Sequence, residues 1–154
     1  MKTGMLDIVS PAGNLRIAER DGKICELSFL QGECAFFEGT PLLKEAARQI
    51  EQYFAKERRA FDLPLAMEGT AFQKMVWEAL LEIPYGKTAT YGDIARKIMR
   101  PMAFRAVGMA CHGNPIAIIV PCHRVIGANG KLTGYAEGLD IKKTLLQLET
   151  EGTA

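Results

Sequence analysis

Three helix-breaking segments divide the second half of the chain into short pieces. They are Pro84-Tyr85-Gly86, Arg100-Pro101 and Gly113-Asn114-Pro115. Proline lacks a backbone N–H and glycine favours turns, so a helix ends at or near each segment. The spacing predicts one helix over residues 91–99, a tight turn, and a second helix over about 102–112, with Pro101 suited to its first position. Two short helices joined by a tight turn form a helix-turn-helix pattern.

The first half of the chain has a different pattern. Alternating apolar and polar residues, with a hairpin signal at Arg20-Asp21-Gly22-Lys23, predict a small antiparallel sheet within residues 4–30. An apolar stripe predicts a helix over residues 41–57. We therefore predict an α+β fold, in which an N-terminal α/β subdomain (residues 1–68) precedes a mostly helical domain (residues 69–154) that contains the helix-turn-helix.

The starts of the later helices also have sequence signals. Thr70 and Gln73 have the spacing of a capping box. Thr90 is suited to cap the first helix of the helix-turn-helix, and Asp93 is favourable in its first turn. Spaced leucines then predict a last helix that ends near Glu149.

A cysteine followed directly by a histidine lies at the end of an apolar run, in the segment Ile118-Ile119-Val120-Pro121-Cys122-His123-Arg124. A thiol in apolar surroundings has a raised pKa and is inert, whereas a neighbouring imidazole can accept its proton or stabilise its thiolate. Cys122 is therefore either a packing residue beside an unrelated histidine or a nucleophile beside its base. The pair alone leaves both interpretations open.

The composition excludes several classes of protein. The four cysteines form no C-x-x-C pair and the chain has only two histidines, which argues against a structural zinc site. No run approaches the ~20 apolar residues that span a bilayer, and the N-terminus lacks the apolar core of a signal peptide. We therefore expect no membrane association and free thiols in a reducing compartment: the cytoplasm, or the nucleus in a eukaryote.

The net charge of +1 excludes a bulk polycation, but basic residues are locally concentrated. Residues 96–105 contain Arg96, Lys97, Arg100 and Arg105 and no acidic residue. A local basic strip of this kind suits contact with nucleic-acid phosphates. A solvated helix face would have the same composition, so charge alone does not decide between the two.

Several blocks of the second half, taken in order, match one known family. Around the cysteine stands Pro121-Cys122-His123-Arg124-Val125-Ile126, preceded by Arg105-Ala106-Val107-Gly108 and Asn114-Pro115. The other blocks are Phe72-Gln73, Val76-Trp77, Ile83-Pro84-Tyr85-Gly86, Thr90-Tyr91-Gly92, Gly134-Tyr135, and Leu145-Leu146 with Glu149. Together they resemble the O6-alkylguanine-DNA alkyltransferases (methylated-DNA–protein-cysteine methyltransferases). The resemblance covers nearly all of residues 69–149, whereas residues 1–68 match only in general plan.

The resemblance implies DNA repair by direct reversal of damage, with Cys122 as the active-site cysteine of the helical domain. A suicide, stoichiometric methyltransferase of this family moves a methyl group from O6-methylguanine, with O4-methylthymine as an open second substrate, irreversibly to its own sulfur. The neighbouring base corresponds to His123, and the acid that orients it to Glu149, with a water between His123 and Cys122. We expect no cofactor, and the cysteine and histidine spacing gives no reason to expect a metal.

The resemblance also implies a partner, double-stranded DNA with an alkylated guanine, which a monomer approaches through the minor groove. Because the duplex buries the target atom, the nucleotide must be extruded. Arg105 would replace the extruded base, Tyr91 would displace the adjacent phosphate and assist proton transfer, and Asn114 would tie the recognition helix to the active-site turn. The resemblance also assigns DNA contacts to Thr90, Arg100, Ala106 and Gly108. It assigns the guanine pocket to Cys122, Val125, Tyr135, Ala136 and Glu137.

Three residues depart from the family pattern. Glu137 stands where glycine is frequent, Ala117 where proline is frequent, and Phe104 where alanine is frequent. A carboxylate at position 137 would narrow the alkyl pocket or add charge, so we expect good reaction with methyl groups and poor reaction with benzyl groups. Human relatives bind zinc through N-terminal Cys and His residues. Since Cys25 and Cys34 have no histidine in their half of the chain, we expect no zinc there.

Two other functions fit parts of the pattern. A non-catalytic lesion binder related to the family would lack the cysteine that is present here as Cys122. A cysteine hydrolase could use Cys122, His123 and Glu149, but it would need an oxyanion hole and would not need a helix-turn-helix with Arg105. Turnover separates these functions, because a hydrolase releases product repeatedly whereas an alkyltransferase accepts one alkyl group per chain.

Overall fold

The structure, a computed structural model, describes residues 4–151 and divides between Met67 and Glu68 into two units. The first unit is a sheet with one helix, and the second is mostly helical. The predicted α+β fold is therefore confirmed.

The sheet of the first unit has three antiparallel strands, β1 (Gly4–Ile8), β2 (Leu15–Arg20) and β3 (Lys23–Phe29), in the order β1-β2-β3. The hairpin between β2 and β3 turns at Asp21 and Gly22, which have φ angles of 52° and 76°. Left-handed conformations at both central residues match the right-handed twist of the flanking strands, which is why the Asp-Gly pair predicts this turn.

Helix α1 (Pro41–Phe54) contacts β1 and β2 and is shorter than the predicted 41–57. Thr40 caps its N-terminus, where the Thr40 hydroxyl accepts a hydrogen bond from the N–H of Leu43 (3.2 Å). Lys56 has a φ of 63°, and the N–H of Glu57 donates to the carbonyl of Gln52 (2.8 Å). This is a Schellman motif, which ends a helix without glycine at the cost of a strained lysine backbone.

Up to residue 151, the second unit contains four α-helices, one 3₁₀ turn and two very short strands. In chain order the α-helices and strands are α2 (Ala71–Leu80), β4 (Ala89–Thr90), α3 (Tyr91–Lys97), α4 (Phe104–His112), β5 (Val125–Ile126) and α5 (Leu139–Glu151). Helices α3 and α4 contact each other and form the helix-turn-helix. None of the helices within residues 4–151 is long and apolar enough to cross a bilayer.

The turn between α3 and α4 is longer than predicted, because α3 ends at Lys97 and α4 begins at Phe104. Met99 has a φ of 62°, and the N–H of Arg100 donates to the carbonyl of Ala95 (2.8 Å), which forms a second Schellman motif. The prediction that Pro101 occupies the first position of the second helix was therefore wrong.

Two long-range links fix the helix-turn-helix within the second unit. Strands β4 and β5 pair in parallel over two residues each, so the start of α3 lies beside the segment that follows Cys122. The buried Trp77 of α2 donates its indole N–H to the carbonyl of Ala110 in α4 (2.9 Å). Ala110 is in the last turn of α4, where carbonyls lack intrahelical partners, so Trp77 satisfies one of them.

Candidate active site

Cys122 is 6% exposed and begins a single 3₁₀ turn, Cys122–Arg124. The backbone before it is tightly folded, since the N–H of Cys122 donates to the carbonyl of Val120 (2.8 Å). Ile118 has a φ of 71°, which is strained for a β-branched residue. Strain of this kind persists only where the surrounding structure enforces it. The fold therefore fixes the sulfur in one place.

The side chain of Asn114 connects the end of α4 to this turn. Its amide N–H₂ donates to the carbonyl of Val120 (2.8 Å) and to the sulfur of Cys122 (3.2 Å). Its amide oxygen accepts from the N–H of Ile116 (2.9 Å). Asn114 thus holds the loop between α4 and the cysteine and also contacts the sulfur itself.

The surroundings of Cys122 favour the neutral thiol. Burial raises the pKa of Cys122 to about 11, the charge of Glu137 raises it as well, and the Asn114 hydrogen bond and the charge of Lys142 lower it. At neutral pH the sulfur is therefore protonated and needs a proton acceptor to become a nucleophile.

The histidine that follows Cys122 belongs to a buried charge network centred on Glu149. Nε2 of His123 lies 2.7 Å from Oε2 of Glu149. Arg124 binds both carboxylate oxygens (2.8 and 3.0 Å) and donates to the carbonyl of Ile83 (2.7 Å), and the N–H of Gly86 lies 3.4 Å from Oε1. Burial by itself would raise the pKa of Glu149, but the hydrogen bonds from His123 and Arg124 lower it to about 2. The carboxylate is charged at neutral pH.

The surroundings of His123 determine the protonation state and tautomer of its ring. Burial lowers the pKa of His123, while Glu149 raises it only in part. The ring is then neutral at pH 7, and Nε2 carries the proton that it donates to Glu149. Nδ1 is left as the acceptor nitrogen. It is buried and has no hydrogen-bond partner among the described residues.

Lys142 is a functional candidate that sequence reasoning missed. It is fully buried, and its ammonium donates to the carbonyls of Thr133 (2.9 Å) and Gly134 (3.4 Å). Burial lowers the pKa of Lys142, and Cys122 raises it, so the two side chains interact electrostatically. Lys142, Leu145 and Glu149 share the buried stripe of α5 at spacings of three and four, which is the signal that could have identified it.

Tyr91, the first residue of α3, binds the same loop as Lys142. Its hydroxyl donates to the carbonyls of Thr133 (3.0 Å) and Gly134 (3.4 Å), and the ammonium of Lys142 lies 5.9 Å from its ring centroid. Gly108 of α4 faces the same ring, since a Cβ at this position would lie 3.7 Å from it. Burial raises the pKa of Tyr91, which therefore keeps its proton at neutral pH.

The residues assigned to the guanine pocket differ in exposure. Val125 is fully buried and Tyr135 is 9% exposed, whereas Ala136 is exposed and Glu137 is half-buried. The hydroxyl of Tyr135 is buried with no hydrogen-bond partner among the described residues. Burial, together with the charges of Cys122 and Glu137, raises the pKa of Tyr135. The Tyr135 hydroxyl, close to the Cys122 sulfur, is thus positioned to form a hydrogen bond with a bound ligand.

The residues assigned to DNA contact are either exposed or half-buried. Arg100, Arg105 and Ala106 are exposed, and neither arginine has an ion-pair partner within residues 4–151. Thr90 uses its hydroxyl oxygen to cap α3 by accepting from the N–H of Asp93 (3.0 Å).

The basic strip is partly neutralised by acids outside it. Arg96 pairs with Asp93, and the ammonium of Lys97 lies 3.3 Å from Glu82. Both ion pairs are solvent-exposed, so each contributes little to the stability of the fold and is weakened by salt. Arg100 and Arg105 therefore remain as the strip's cations without a carboxylate partner in the described part of the chain.

The remaining cysteines are free thiols. Cys25 and Cys34 are half-buried in the first unit, and Cys111 is buried in α4, where burial raises its pKa to about 12. Within residues 4–151, no group of three or more His, Cys, Asp and Glu side chains is placed to hold a metal ion. Ala117, one of the departures from the family pattern, is 2% exposed and packs in the core.

Comparisons with known proteins agree over both units of the chain. The family model described as "6-O-methylguanine DNA methyltransferase, DNA binding domain" matches residues 71–151, and the one described as "6-O-methylguanine DNA methyltransferase, ribonuclease-like domain" matches residues 7–67. A methylated-DNA–protein-cysteine methyltransferase of Methanosarcina acetivorans is 56% identical over an alignment of 146 residues, and the match covers 91% of this chain and 94% of the relative.

A more distant relative and a solved structure give the same result. The constitutive methylated-DNA–protein-cysteine methyltransferase of Bacillus subtilis is 45% identical over an alignment of 150 residues, and the match covers 91% of each protein. The crystal structure of Mycobacterium tuberculosis OGT in complex with DNA has a TM-score of 0.88 and 47% identity, and the match covers 96% of this chain and 93% of that chain.

Replacing Glu149 tests the buried network through the pH dependence of stability. A carboxyl group with a pKa of about 2 in the folded protein and a higher one when unfolded stabilises the fold above pH 4.5, and this contribution is lost as the pH falls towards 2. Glu149→Gln also leaves Arg124 buried without its counter-charge, so we expect a loss of about 3–5 kcal/mol at pH 7. Urea unfolding should show that the difference from the wild type narrows at pH 3.

Glu78→Gln, which changes an exposed carboxylate of α2, is the matched control and should alter stability by less than about 0.5 kcal/mol at either pH. A difference between Glu149→Gln and the wild type that stays constant or grows on acidification would contradict the network.

Proposed function

This chain belongs to the family of methylated-DNA–protein-cysteine methyltransferases, and on this premise we propose that it repairs alkylated DNA directly by moving the alkyl group from the damaged base to the sulfur of Cys122. The observation that carries the assignment of Cys122 is its position next to the buried His123–Glu149 pair, with Asn114 in contact with the sulfur. Of the four cysteines, Cys122 is the one that directly precedes this histidine in the chain.

The reaction is a displacement at the alkyl carbon. The sulfur electron pair forms the new S–C bond, the bond between this carbon and guanine O6 breaks, and the base leaves with the electrons of that bond and takes up a proton. The thiol proton passes through a water to Nδ1 of His123, which the Glu149 hydrogen bond keeps available as an acceptor. A thioether is a poor leaving group, so the sulfur stays blocked and each chain reacts once.

The charges around the sulfur support this sequence of steps. The thiol, with a pKa of about 11, is stable while the pocket is empty of substrate. Asn114 and Lys142 both favour the thiolate, so they stabilise the negative charge that develops on sulfur as the proton leaves. Tyr91 keeps its own proton at neutral pH and is suited to donate it towards the departing base.

Double-stranded DNA with an alkylated guanine is the substrate. The target atom is hidden in the duplex, so the nucleotide must be extruded, and the exposed Arg105 on α4 is assigned to the space that it leaves. Arg100, Thr90, Ala106 and Gly108 line the approach through the minor groove, and Val125, Tyr135, Ala136 and Glu137 surround the extruded base. A monomer suffices, because one chain supplies all of these residues. The site of action is the compartment that holds the chromosome, the cytoplasm in a prokaryote.

Mass spectrometry of the reacted protein tests the assignment of Cys122. After incubation with a duplex that contains O6-methylguanine, the intact mass should increase by one methyl group, and the modified peptide should contain Cys122. Cys122→Ala should gain no methyl group and should still bind the duplex. Cys111→Ala, which removes another buried thiol of the same unit, is the matched control and should still be methylated.

A wild-type protein of unchanged mass would refute the proposed function. Demethylation of more than one duplex per chain would instead favour a turnover enzyme such as a hydrolase. A methyl group found on another cysteine would refute only the assignment of Cys122.

Glu137 limits the size of the alkyl group. It is half-buried, and its charge acts on the Cys122 sulfur. Removing its side chain opens the pocket and removes a charge that disfavours the thiolate, so Glu137→Gly should react faster with free O6-benzylguanine, by about tenfold. Glu137→Gln keeps the bulk and should recover only the part of this gain that is due to charge. A wild-type protein labelled by benzylguanine as fast as Glu137→Gly would contradict this role.

A further inference from the structure

The helix-turn-helix carries an unusual concentration of exposed apolar side chains. The exposed large hydrophobic residues of the described chain number eight, and four of them lie within residues 99–109: Met99, Met102, Phe104 and Met109. Exposed apolar side chains grouped in this way are characteristic of a binding surface rather than of a solvated one. Phe104 is the aromatic member of the group and is 45% exposed.

Phe104 occupies the first position of α4, directly before Arg105. The guanidinium carbon of Arg105 lies 6.0 Å from the centroid of the Phe104 ring, within the range of a cation–π contact. Phe104 also lines a surface cleft of about 610 Å³, whose other lining residues are Thr90, Tyr91, Gly92, Asp93, Arg96 and Ala128. The ring thus contacts the arginine side chain and also borders the cleft that Tyr91 lines.

The positive charge of this surface favours the binding of a polyanion. Residues 94–112 contain no acidic residue, and the carboxylate of Asp93, which also lines the cleft, is paired with Arg96. Arg105 has no ion-pair partner in the described part of the chain. The segment also lies inside the region that matches the family's DNA-binding domain, residues 71–151. A partner that offers both negative charge and flat apolar faces to the surface around Phe104 is a nucleic acid, whose phosphates meet the arginines and whose bases meet the ring.

We propose that Phe104 is a second wedge beside Arg105, which stacks on a base that flanks the extruded nucleotide. This inference rests on the proposed function, since it needs a duplex from which a nucleotide is extruded. Apolar side chains inserted between base steps are a common device of proteins that bind the minor groove. Arg105 fills the gap, and Phe104 covers the face of the neighbouring base that the extruded nucleotide no longer covers.

The arrangement gives Phe104 a second effect, on Arg105 itself. Because the guanidinium already rests over the ring, its side chain is partly ordered before DNA arrives, and less conformational entropy is lost on insertion. An exposed leucine or methionine would offer neither the flat face for a base nor the π face for the guanidinium.

The test compares reaction rates on two substrates. Stacking of a base on an aromatic side chain is worth about 1–3 kcal/mol, so Phe104→Ala should reduce the second-order rate of methyl transfer from an O6-methylguanine duplex about tenfold, or ~1.4 kcal/mol. The rate with the free base O6-methylguanine should stay within about twofold, because no flanking base is involved. Phe104→Trp should restore the duplex rate, and Phe104→Leu should not.

Two further measurements exclude a merely structural role. A duplex with 2-aminopurine next to the lesion should show a smaller fluorescence change with Phe104→Ala than with the wild type. The salt dependence of DNA affinity should be unchanged, because Phe104 contacts no phosphate. Leu81→Ala removes a comparably exposed apolar side chain at the end of α2 and is the matched control, with wild-type rates on both substrates expected.

The outcomes separate this inference from the proposed function. A wild-type protein that fails to demethylate the duplex would refute the proposed function. A wild type that reacts, together with a Phe104→Ala variant that keeps its duplex rate or loses the same factor on the free base, would refute only the wedge.

Discussion

The buried carboxylate of Glu149 is the interaction on which the site depends. It joins three parts of the second unit, since it binds His123 and Arg124 in the turn after the cysteine, lies near the N–H of Gly86 before β4, and belongs to α5. A charge removed from water is costly unless it is fully paired, and here nearly every direction around the carboxylate is occupied by a donor. The reactive turn is therefore held in place by the same bonds that prepare its histidine.

This arrangement makes reactivity a property of the assembled site rather than of the thiol. A buried sulfur with a pKa of about 11 is protected from non-specific alkylation and oxidation. In the proposed reaction it becomes a nucleophile only when its proton moves to His123 while an alkyl carbon lies against it. A protein that each reaction consumes benefits from such protection, because every unspecific modification of Cys122 would remove one chain from repair. Asn114 and Lys142 then lower the cost of forming the thiolate at that moment.

The sequence predicted the fold class, the hairpin and the helix-turn-helix, because turn residues and apolar spacing are local signals. It misplaced the start of α4, since the chain ends α3 with a Schellman motif at Met99, a residue that gives no such signal. Strands β4 and β5 are two residues long, too short for any periodicity. The roles of Glu149 and Asn114 came from the family resemblance, and Lys142 was overlooked because a lysine on a helix is normally solvated, whereas this one caps the carbonyls of a loop.

The proposed mechanism requires a neutral His123 ring, in which burial disfavours the charged form and the hydrogen bond to Glu149 keeps the proton on Nε2, so that Nδ1 is free to accept the thiol proton. Long-range ¹H–¹⁵N correlation NMR of the imidazole nitrogens reports this state directly, and the exposed His112, the other histidine of the chain, can be removed by substitution to assign the signals. We predict one protonated nitrogen, Nε2, and one unprotonated nitrogen, Nδ1, unchanged between pH 7 and 8. A doubly protonated ring in this range, or a proton on Nδ1, would contradict the account.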